Sequence, residues 1–262
     1  MRAKRAAAAV AVAALVLAGA AGCGGGNASG GGSAGGPRAG GTVTVFAAAS
    51  LTEAFTRLGR DFEASGGATV VFNFAGSAAL AAQINQGAPA DVFASAAPRN
   101  MATVTGAGNA DGDPAVFARN QLVVAVPKGN PRGVAGLADL ARPGVQVALC
   151  AEQVPCGAAA RTALDAASVA VTPVTLEQDV RGALAKLRLG EVDAALVYRT
   201  DALAAAAEVT AVEFAESARA GNDYPIVVLR DAPNPDGARA FVAYVRSERG
   251  RAVLAGAGFQ AP

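Results

Sequence analysis

The stretch Thr42-Val-Thr-Val-Phe-Ala-Ala-Ala-Ser50-Leu-Thr-Glu-Ala54 contains the pattern that decides the fold. Its first seven residues include several β-branched side chains and predict a strand over 42–48. The residues that follow predict a helix over 51–65, because apolar side chains recur at the spacing of one helical face. Ser50 therefore stands where a strand passes into a helix.

The same alternation of strands and helices continues along the chain. A second predicted strand, 69–74, runs through Asn73-Phe-Ala-Gly-Ser77 into a predicted helix over 78–86. Further short β-branched runs and helical stretches follow to about residue 260. This order predicts an α/β fold with mostly parallel sheets.

The length of the chain allows either one doubly wound sheet or two smaller lobes. Two lobes are favoured, because turn-rich breaks occur at Pro127-Lys-Gly-Asn-Pro131 and at Gly221-Asn-Asp-Tyr-Pro225. We expect these breaks to be two hinge crossings. Lobe one would then comprise residues 42–126 and 222–262, and lobe two residues 127–221.

Ser50 and Ser77 both stand at the N-terminal end of a predicted helix. Such a serine offers a hydroxyl, and the next backbone N–H groups have no partner within the helix. Together with the helix dipole they form an anion site that needs no cationic side chain. Each serine could equally serve only as a helix cap, so an anion site is one of two interpretations.

Three further junctions carry candidate groups. Cys156 and Gly157 begin a predicted helix, and Gly157 allows the backbone to approach a ligand closely. Val180 lies near the start of a helix predicted over 179–190. Tyr198 ends a strand predicted over 192–198, and a structural role would also explain it.

The composition excludes several classes of protein. The chain has 262 residues, no histidine, 16% charged residues and a formal net charge of +1. Without histidine, neither a Ser-His-Asp or Cys-His nucleophile nor a histidine-ligated metal is available. With no basic surplus to follow a phosphate backbone, no nucleic-acid partner is expected.

The first 23 residues have the layout of a secretory leader. A basic start, Met1-Arg-Ala-Lys-Arg5, precedes the uncharged run 6–21, which is too short to span a membrane. Ala20-Ala-Gly-Cys23 resembles a bacterial lipobox, in which Cys23 becomes the lipid-modified first residue. The alternative is a plain secretory leader with an incidental cysteine.

The segment 24–41 predicts a flexible tether. It contains ten of the 32 glycines, and such a composition cannot bury enough apolar surface to order itself. Removal of residues 1–23 leaves 19 basic and 21 acidic side chains, a net charge of −2.

Cys150 and Cys156 are the two remaining cysteines. In an exported protein such a pair is most simply a disulfide, which would contribute about 2 kcal/mol by closing a short loop. Free or redox-active thiols are the alternative.

Six short motifs occur in a fixed order between residues 42 and 260. They are Ala47-Ala-Ala-Ser-Leu51, Gln83-Ile-Asn-Gln-Gly-Ala-Pro-Ala-Asp-Val-Phe93, Ala94-Ser-Ala96, Val154-Pro-Cys-Gly157, Asp179-Val-Arg-Gly-Ala-Leu184 and Val197-Tyr198. Together they resemble the periplasmic molybdate-binding proteins of ABC importers. The resemblance implies the type II periplasmic-binding fold, in which two α/β lobes joined by a hinge hold an oxyanion in their cleft.

The resemblance also implies a ligand set. Ser50 and Ser77 of lobe one would supply hydroxyl and backbone N–H donors. Lobe two would supply the backbone N–H groups of Cys156 and Val180 and the hydroxyl of Tyr198. Many family members have alanine where this chain has Cys156, but a main-chain contact would be kept. The ligand would be molybdate or tungstate, with no other metal or cofactor.

The resemblance further implies a non-enzymatic receptor. It would be held at the outer face of the cell membrane by a lipid on Cys23 and would deliver its cargo to an ABC permease. We expect a monomer. A donor-only pocket suits a fully deprotonated oxyanion, which can only accept hydrogen bonds, and leaves the proton of hydrogen phosphate without a partner.

Two other functions remain possible at this point. One is a receptor for sulfate or another tetrahedral oxyanion. The other is an exported hydrolase with Ser50 or Ser77 as nucleophile and Lys128 or Lys186 as base. Neither serine has the S-x-x-K spacing of serine–lysine enzymes.

Overall fold

Two five-stranded sheets flanked by helices make up the described part of the chain. The computed structural model describes residues 40–262. The predicted leader, Cys23 and residues 24–39 of the predicted tether lie outside them. Within the described range, every helix is too short or too polar to cross a membrane.

The first sheet belongs to lobe one. Its strands are β1 (Thr42–Ala48), β2 (Thr69–Ala75), β3 (Val92–Ala94), β4 (Ala110–Asn120) and β10 (Asn222–Leu229). The strand order is β2-β1-β3-β10-β4. Its helices are α1 (Thr52–Ala64), α2 (Ser77–Asn85), α3 (Pro98–Gly106), α7 (Pro235–Arg246) and α8 (Glu248–Gly256), with a short 3-10 helix at Ala49–Leu51.

The second sheet belongs to lobe two. Its strands are β5 (Leu122–Pro127), β6 (Val147–Cys150), β7 (Thr175–Glu177), β8 (Ala194–Tyr198) and β9 (Val209–Val212). The strand order is β7-β6-β8-β5-β9. Its helices are α4 (Pro155–Ala166), α5 (Val180–Arg188) and α6 (Arg199–Ala204), with 3-10 helices at Leu137–Ala141 and Ala215–Ala220.

The two-lobed α/β architecture is confirmed, but each sheet is mixed rather than mostly parallel. In the first sheet β1 pairs in parallel with β2 and β3, whereas β10 is antiparallel to β3 and β4. In the second, β6 is parallel to β7 and β8, and β5 is antiparallel to β8 and β9. The antiparallel pairs arise where the chain passes from one sheet to the other, since such a strand does not arrive by a helical crossover within its own sheet.

The first crossing lies earlier than the sequence predicts. Strand β5, which the predicted boundary at 126 assigns to lobe one, pairs with β8 and β9 in lobe two. Its apolar run identifies a buried strand but carries no signal of which sheet it joins. The crossing is therefore at Gln121, directly after β4. The return crossing is at Gly221, after which the predicted turn region forms the start of β10.

Strand β4 is the largest element that the sequence does not predict. It contains Asp111, Gly112, Asp113 and Pro114, which are unfavourable in strands. It is an edge strand with register shifts against β10, and both features make proline acceptable.

Lobe one is built around an aromatic cluster. The helix α1 buries Ala54, Phe55, Leu58 and Phe62, the face that its periodicity predicts. Phe55 and Phe62 both pack edge-on against Phe241 of α7, which ties the C-terminal part of the chain to the N-terminal strands. The last two residues of the predicted tether also contact this lobe, since Gly41 O accepts a hydrogen bond from Thr69 N at 3.0 Å.

Candidate functional site

A small cavity lies between the two sheets, beyond the ends of several strands. We call it the interlobe cavity. It is lined by Ala48, Ala49, Ser50, Gly76, Ser77, Ala96, Pro155, Cys156, Asp179, Val180 and Tyr198. All five residues predicted as ligand contacts are therefore brought together, two from lobe one and three from lobe two.

Lobe one contributes two buried serine hydroxyls. Ser50 lies in the 3-10 helix after β1, and its Oγ is 2.9 Å from the hydroxyl of Tyr224. Ser77 is the first residue of α2, and its Oγ accepts a hydrogen bond from Ala96 N at 3.0 Å. Neither hydroxyl caps the helix that it begins, so the simple capping interpretation does not apply to them.

The capping of α5 pairs the N–H groups around that of Val180. The carboxylate of Asp179 accepts hydrogen bonds from Arg181 N at 2.9 Å and from Gly182 N at 3.0 Å. The carbonyl of Asp179 accepts from Ala183 N. Three of the first four N–H groups of α5 are thus paired within the helix end, and that of Val180 is not among them.

Cys156 is the second residue of α4, directly after Pro155. The N-cap residue, Val154, offers no side-chain cap. Its carbonyl accepts from Ala158 N at 3.1 Å, and its side chain pairs with neither the N–H of Cys156 nor that of Gly157. Cys156 forms a disulfide with Cys150, as the cysteine spacing predicts. A Cβ on Gly157 would lie 1.9 Å from the carbonyl oxygen of Ala151, so only glycine allows the loop to fold back so closely.

Tyr198 supplies a buried phenol. Its hydroxyl accepts a hydrogen bond from Asn222 Nδ2 at 2.8 Å. Burial, with smaller contributions from Tyr224 and Asp201, raises the pKa of Tyr198 well above its ordinary value. Burial likewise raises the pKa of Tyr224. Both hydroxyls therefore keep their protons and remain able to donate.

Cationic side chains are absent from the lining of the interlobe cavity within the described chain. Asp179 contributes a carboxylate to the lining, and the Oδ1 of that carboxylate accepts from two N–H groups of its own helix. Positive potential in the cavity therefore comes from the N-terminal ends of α2, α4 and α5 and from hydroxyl and N–H dipoles. This set of groups can bind a small anion that accepts hydrogen bonds from every side.

The two lobes are in contact around the interlobe cavity. A guanidinium nitrogen of Arg99, from lobe one, donates to the carbonyls of Glu152 at 2.6 Å and of Val154 at 3.3 Å in lobe two. A Cβ on Gly76 would lie 2.3 Å from the carbonyl oxygen of Gln178. The lobes are thus closed on each other with no room for a side chain at Gly76.

Three residues behind the interlobe cavity were not identified from the sequence. They are Asn120, Asn222 and Tyr224, which lie at the ends of the paired strands β4 and β10. All three are buried. The available signal was a polar side chain beside an apolar strand, but this pattern alone does not distinguish a strand end from a turn.

Comparison with known proteins agrees with this fold. Residues 43–260 match the family described as bacterial extracellular solute-binding proteins, and the chain belongs to that family. A molybdate-binding protein ModA of Mycobacterium tuberculosis is 46% identical over 222 residues, which cover 84% of this chain and 85% of the relative. The molybdate-binding protein ModA of Escherichia coli is 32% identical over 232 residues, with 84% and 89% covered.

Solved structures show the same fold. The periplasmic molybdate-binding protein of Azotobacter vinelandii superposes with a TM-score of 0.74 at 21% identity, covering 84% of this chain and 99% of that one. The sulfate-binding protein SubI of Mycobacterium tuberculosis superposes with a TM-score of 0.71 at 20% identity, covering 84% and 86%. At these identities the likeness concerns the fold alone.

Proposed function

We propose that this chain captures molybdate or tungstate outside the cytoplasm and delivers it to the permease of an ABC importer. Ser50, Ser77 and Tyr198 donate through their hydroxyls, and Cys156 and Val180 donate through their backbone N–H groups. A lipid on Cys23 holds the receptor at the outer face of the membrane, and the receptor acts as a monomer. The observation that carries this proposal is the convergence of neutral donors from both lobes on one buried cavity.

The chemistry of the donor set supports a fully deprotonated dianion. Hydrogen bonds to a charged group contribute about 1.5–3 kcal/mol each before the costs of binding. Several such hydrogen bonds together are enough for micromolar affinity, which requires about 8 kcal/mol of binding free energy. The identity of 46% to a protein named for molybdate binding supports molybdate rather than sulfate as the cargo.

The arrangement does not support a serine hydrolase. Lys128 donates to the carbonyl of Ala206 at 2.7 Å, and Lys186 is paired with Glu191 at 2.7 Å. Neither lysine lines the interlobe cavity that holds Ser50 and Ser77. Neither lysine is therefore placed to act as a base for these serines, and we propose that the protein is not an enzyme.

Isothermal calorimetry with molybdate, tungstate, sulfate and phosphate tests the proposal. We expect dissociation constants of about 1 µM or lower for molybdate and tungstate. We expect sulfate to bind at least about 100-fold more weakly and phosphate to give no heat, since its proton finds no acceptor. Sulfate binding as tight as molybdate would make this a general sulfate-type receptor. No heat with any of the four anions would overturn the proposal.

A further inference from the structure

We propose that Asn120, Asn222 and Tyr224, together with the backbone of Ala96, fix the proton direction of the three hydroxyls in the interlobe cavity. Each hydroxyl accepts a hydrogen bond from behind, so its own proton is available to the anion. The residues act as positioning residues that select against protonated oxyanions. This inference rests on the proposed function and deepens it.

Asn222 determines the direction at Tyr198. Its Nδ2 donates to the carbonyl oxygen of Ala96 at 2.7 Å and to the hydroxyl of Tyr198 at 2.8 Å. Because a carbonyl can only accept, the amide nitrogen must be the atom that faces both groups. Tyr198 therefore accepts from Asn222, and its own proton is available either to the neighbouring Tyr224 hydroxyl or to an anion in the cavity.

Asn120 determines the direction at Ser50 through Tyr224. The Oδ1 of Asn120 accepts from Gln121 N at 3.0 Å, which fixes the orientation of the amide. Its Nδ2 then donates to Thr200 Oγ1 at 2.8 Å and lies 3.5 Å from the Tyr224 hydroxyl. With a donor on that side, the Tyr224 proton goes to Ser50 Oγ at 2.9 Å. The proton of Ser50 is thereby left for the anion.

The main chain determines the direction of the Ser77 hydroxyl. Its Oγ accepts from Ala96 N at 3.0 Å, and a backbone N–H can only donate. Ala96 thus uses its N–H to direct Ser77 and its carbonyl to hold Asn222. Since burial raises the pKa values of Tyr198 and Tyr224, neither phenol loses its proton to become an acceptor.

The network also joins the site to the hinge. Asn120 and Asn222 are register partners where β4 and β10 meet, next to the crossings at Gln121 and Gly221. The same strands that connect the lobes thus orient donors from both lobes. If the network only satisfied buried polar groups, a substitution in it would weaken the binding of every anion by a similar factor. If the network directs protons, the same substitution would also allow anions that carry a proton to bind.

The test compares molybdate with hydrogen arsenate, a tetrahedral anion that must donate one hydrogen bond. In Asn222→Ala the Tyr198 proton is free to turn to the Ala96 carbonyl, which exposes an acceptor to the cavity. In Tyr224→Phe the Ser50 hydroxyl loses its donor and can rotate. For each variant, we expect molybdate affinity to fall about tenfold or more and the ratio of molybdate to arsenate affinity to fall by at least the same factor.

Tyr244→Phe is the matched control, because Tyr244 packs against Phe62 away from the interlobe cavity, and it should leave both affinities unchanged. Circular dichroism establishes that each variant is folded, and the two variants probe the network at separate hydroxyls. An unchanged affinity ratio in the folded variants would overturn the inference while leaving the proposed function intact. Absence of molybdate binding by the wild type would instead overturn the proposed function and this inference with it.

Discussion

At the scale of single residues, the site depends on neutral donors rather than charges. Ser50, Ser77 and Tyr198 are nearly inaccessible to solvent, with 4%, 1% and 1% of their surface exposed. In such surroundings hydrogen bonds to an anion are little weakened by competing water. The slightly acidic net charge that removal of the predicted leader would leave is therefore compatible with the proposed anionic cargo.

The five ligand candidates follow from the resemblance of the sequence motifs to molybdate-binding proteins, and the structure places all five around one cavity. Their contact with the anion stays a prediction. Asn120, Asn222 and Tyr224 could not be predicted from the sequence, because their role depends on which strands cross between the sheets. A buried asparagine becomes meaningful only once the pairing of β4 with β10 places it behind Tyr198 or Tyr224.

Asp201 gives a residue-scale prediction about pH. This carboxyl is buried in α6, and its Oδ2 has no hydrogen-bond partner. Burial, followed by the charge of Glu53, raises its pKa from the ordinary 3.8 to about 7. Because the folded state prefers the protonated carboxyl, protonation of Asp201 stabilises the folded protein. This contribution is complete below about pH 4 and is lost as the pH rises through 7.

We therefore expect the melting temperature of the wild type to fall between pH 5 and pH 8, and Asp201→Asn to remove most of this dependence. Asp113→Asn, at an exposed position of β4, is the control and should keep the wild-type slope. Differential scanning calorimetry across this range measures the effect. If the melting temperature of Asp201→Asn depends on pH as steeply as that of the wild type, another group is responsible for the dependence.

At the scale of elements, the site is formed mainly by helix N-termini. The helices α2, α4 and α5 begin at the interlobe cavity, each following a strand of its own sheet. Most of these elements could be predicted from periodicity to within a few residues. Strand β4 could not, because its Asp, Gly and Pro residues are tolerated only through its edge position and its register shifts against β10.

The disulfide gives a prediction at this scale. In the double variant Cys150→Ala/Cys156→Ala, the loop before α4 loses its cross-link, and we expect stability to fall by about 2 kcal/mol. The proposed contact at position 156 is a main-chain N–H, which alanine also has. Molybdate affinity should therefore change by only a few-fold.

Urea unfolding and calorimetry on the same preparations measure the two effects. Wild type treated with a dithiol reductant under unfolding conditions should show the same loss of stability. A large loss of affinity with little loss of stability would contradict this account, because it would give the cross-link a direct part in binding.

At the scale of the whole molecule, contacts from both lobes imply that closure and binding are coupled. Gly76 is a position where the lobes approach closely, with the Gln178 carbonyl in the space of a side chain. Its φ of −58° is ordinary for any residue, so Gly76→Ala introduces no backbone strain. The added methyl group instead opposes closure.

For Gly76→Ala we expect molybdate affinity to fall about tenfold or more, as an overpacked contact costs about 1–3 kcal/mol. The stability of the unliganded protein should change little, because the lobes can separate. Small-angle scattering should show less compaction on adding molybdate than in the wild type. Gly106→Ala, where a Cβ meets no atom within 4 Å, is the matched control. Normal affinity and compaction in Gly76→Ala would show that this contact does not limit closure.

The most direct test of the central claim is a crystal structure of the protein with molybdate, with the anion located by the anomalous signal of molybdenum. The account predicts one peak, in the interlobe cavity. Oxygen atoms of the anion should lie about 2.7–3.2 Å from the hydroxyls of Ser50, Ser77 and Tyr198 and from the nitrogens of Cys156 and Val180. An anion held by arginine side chains, or bound outside the interlobe cavity, would contradict it.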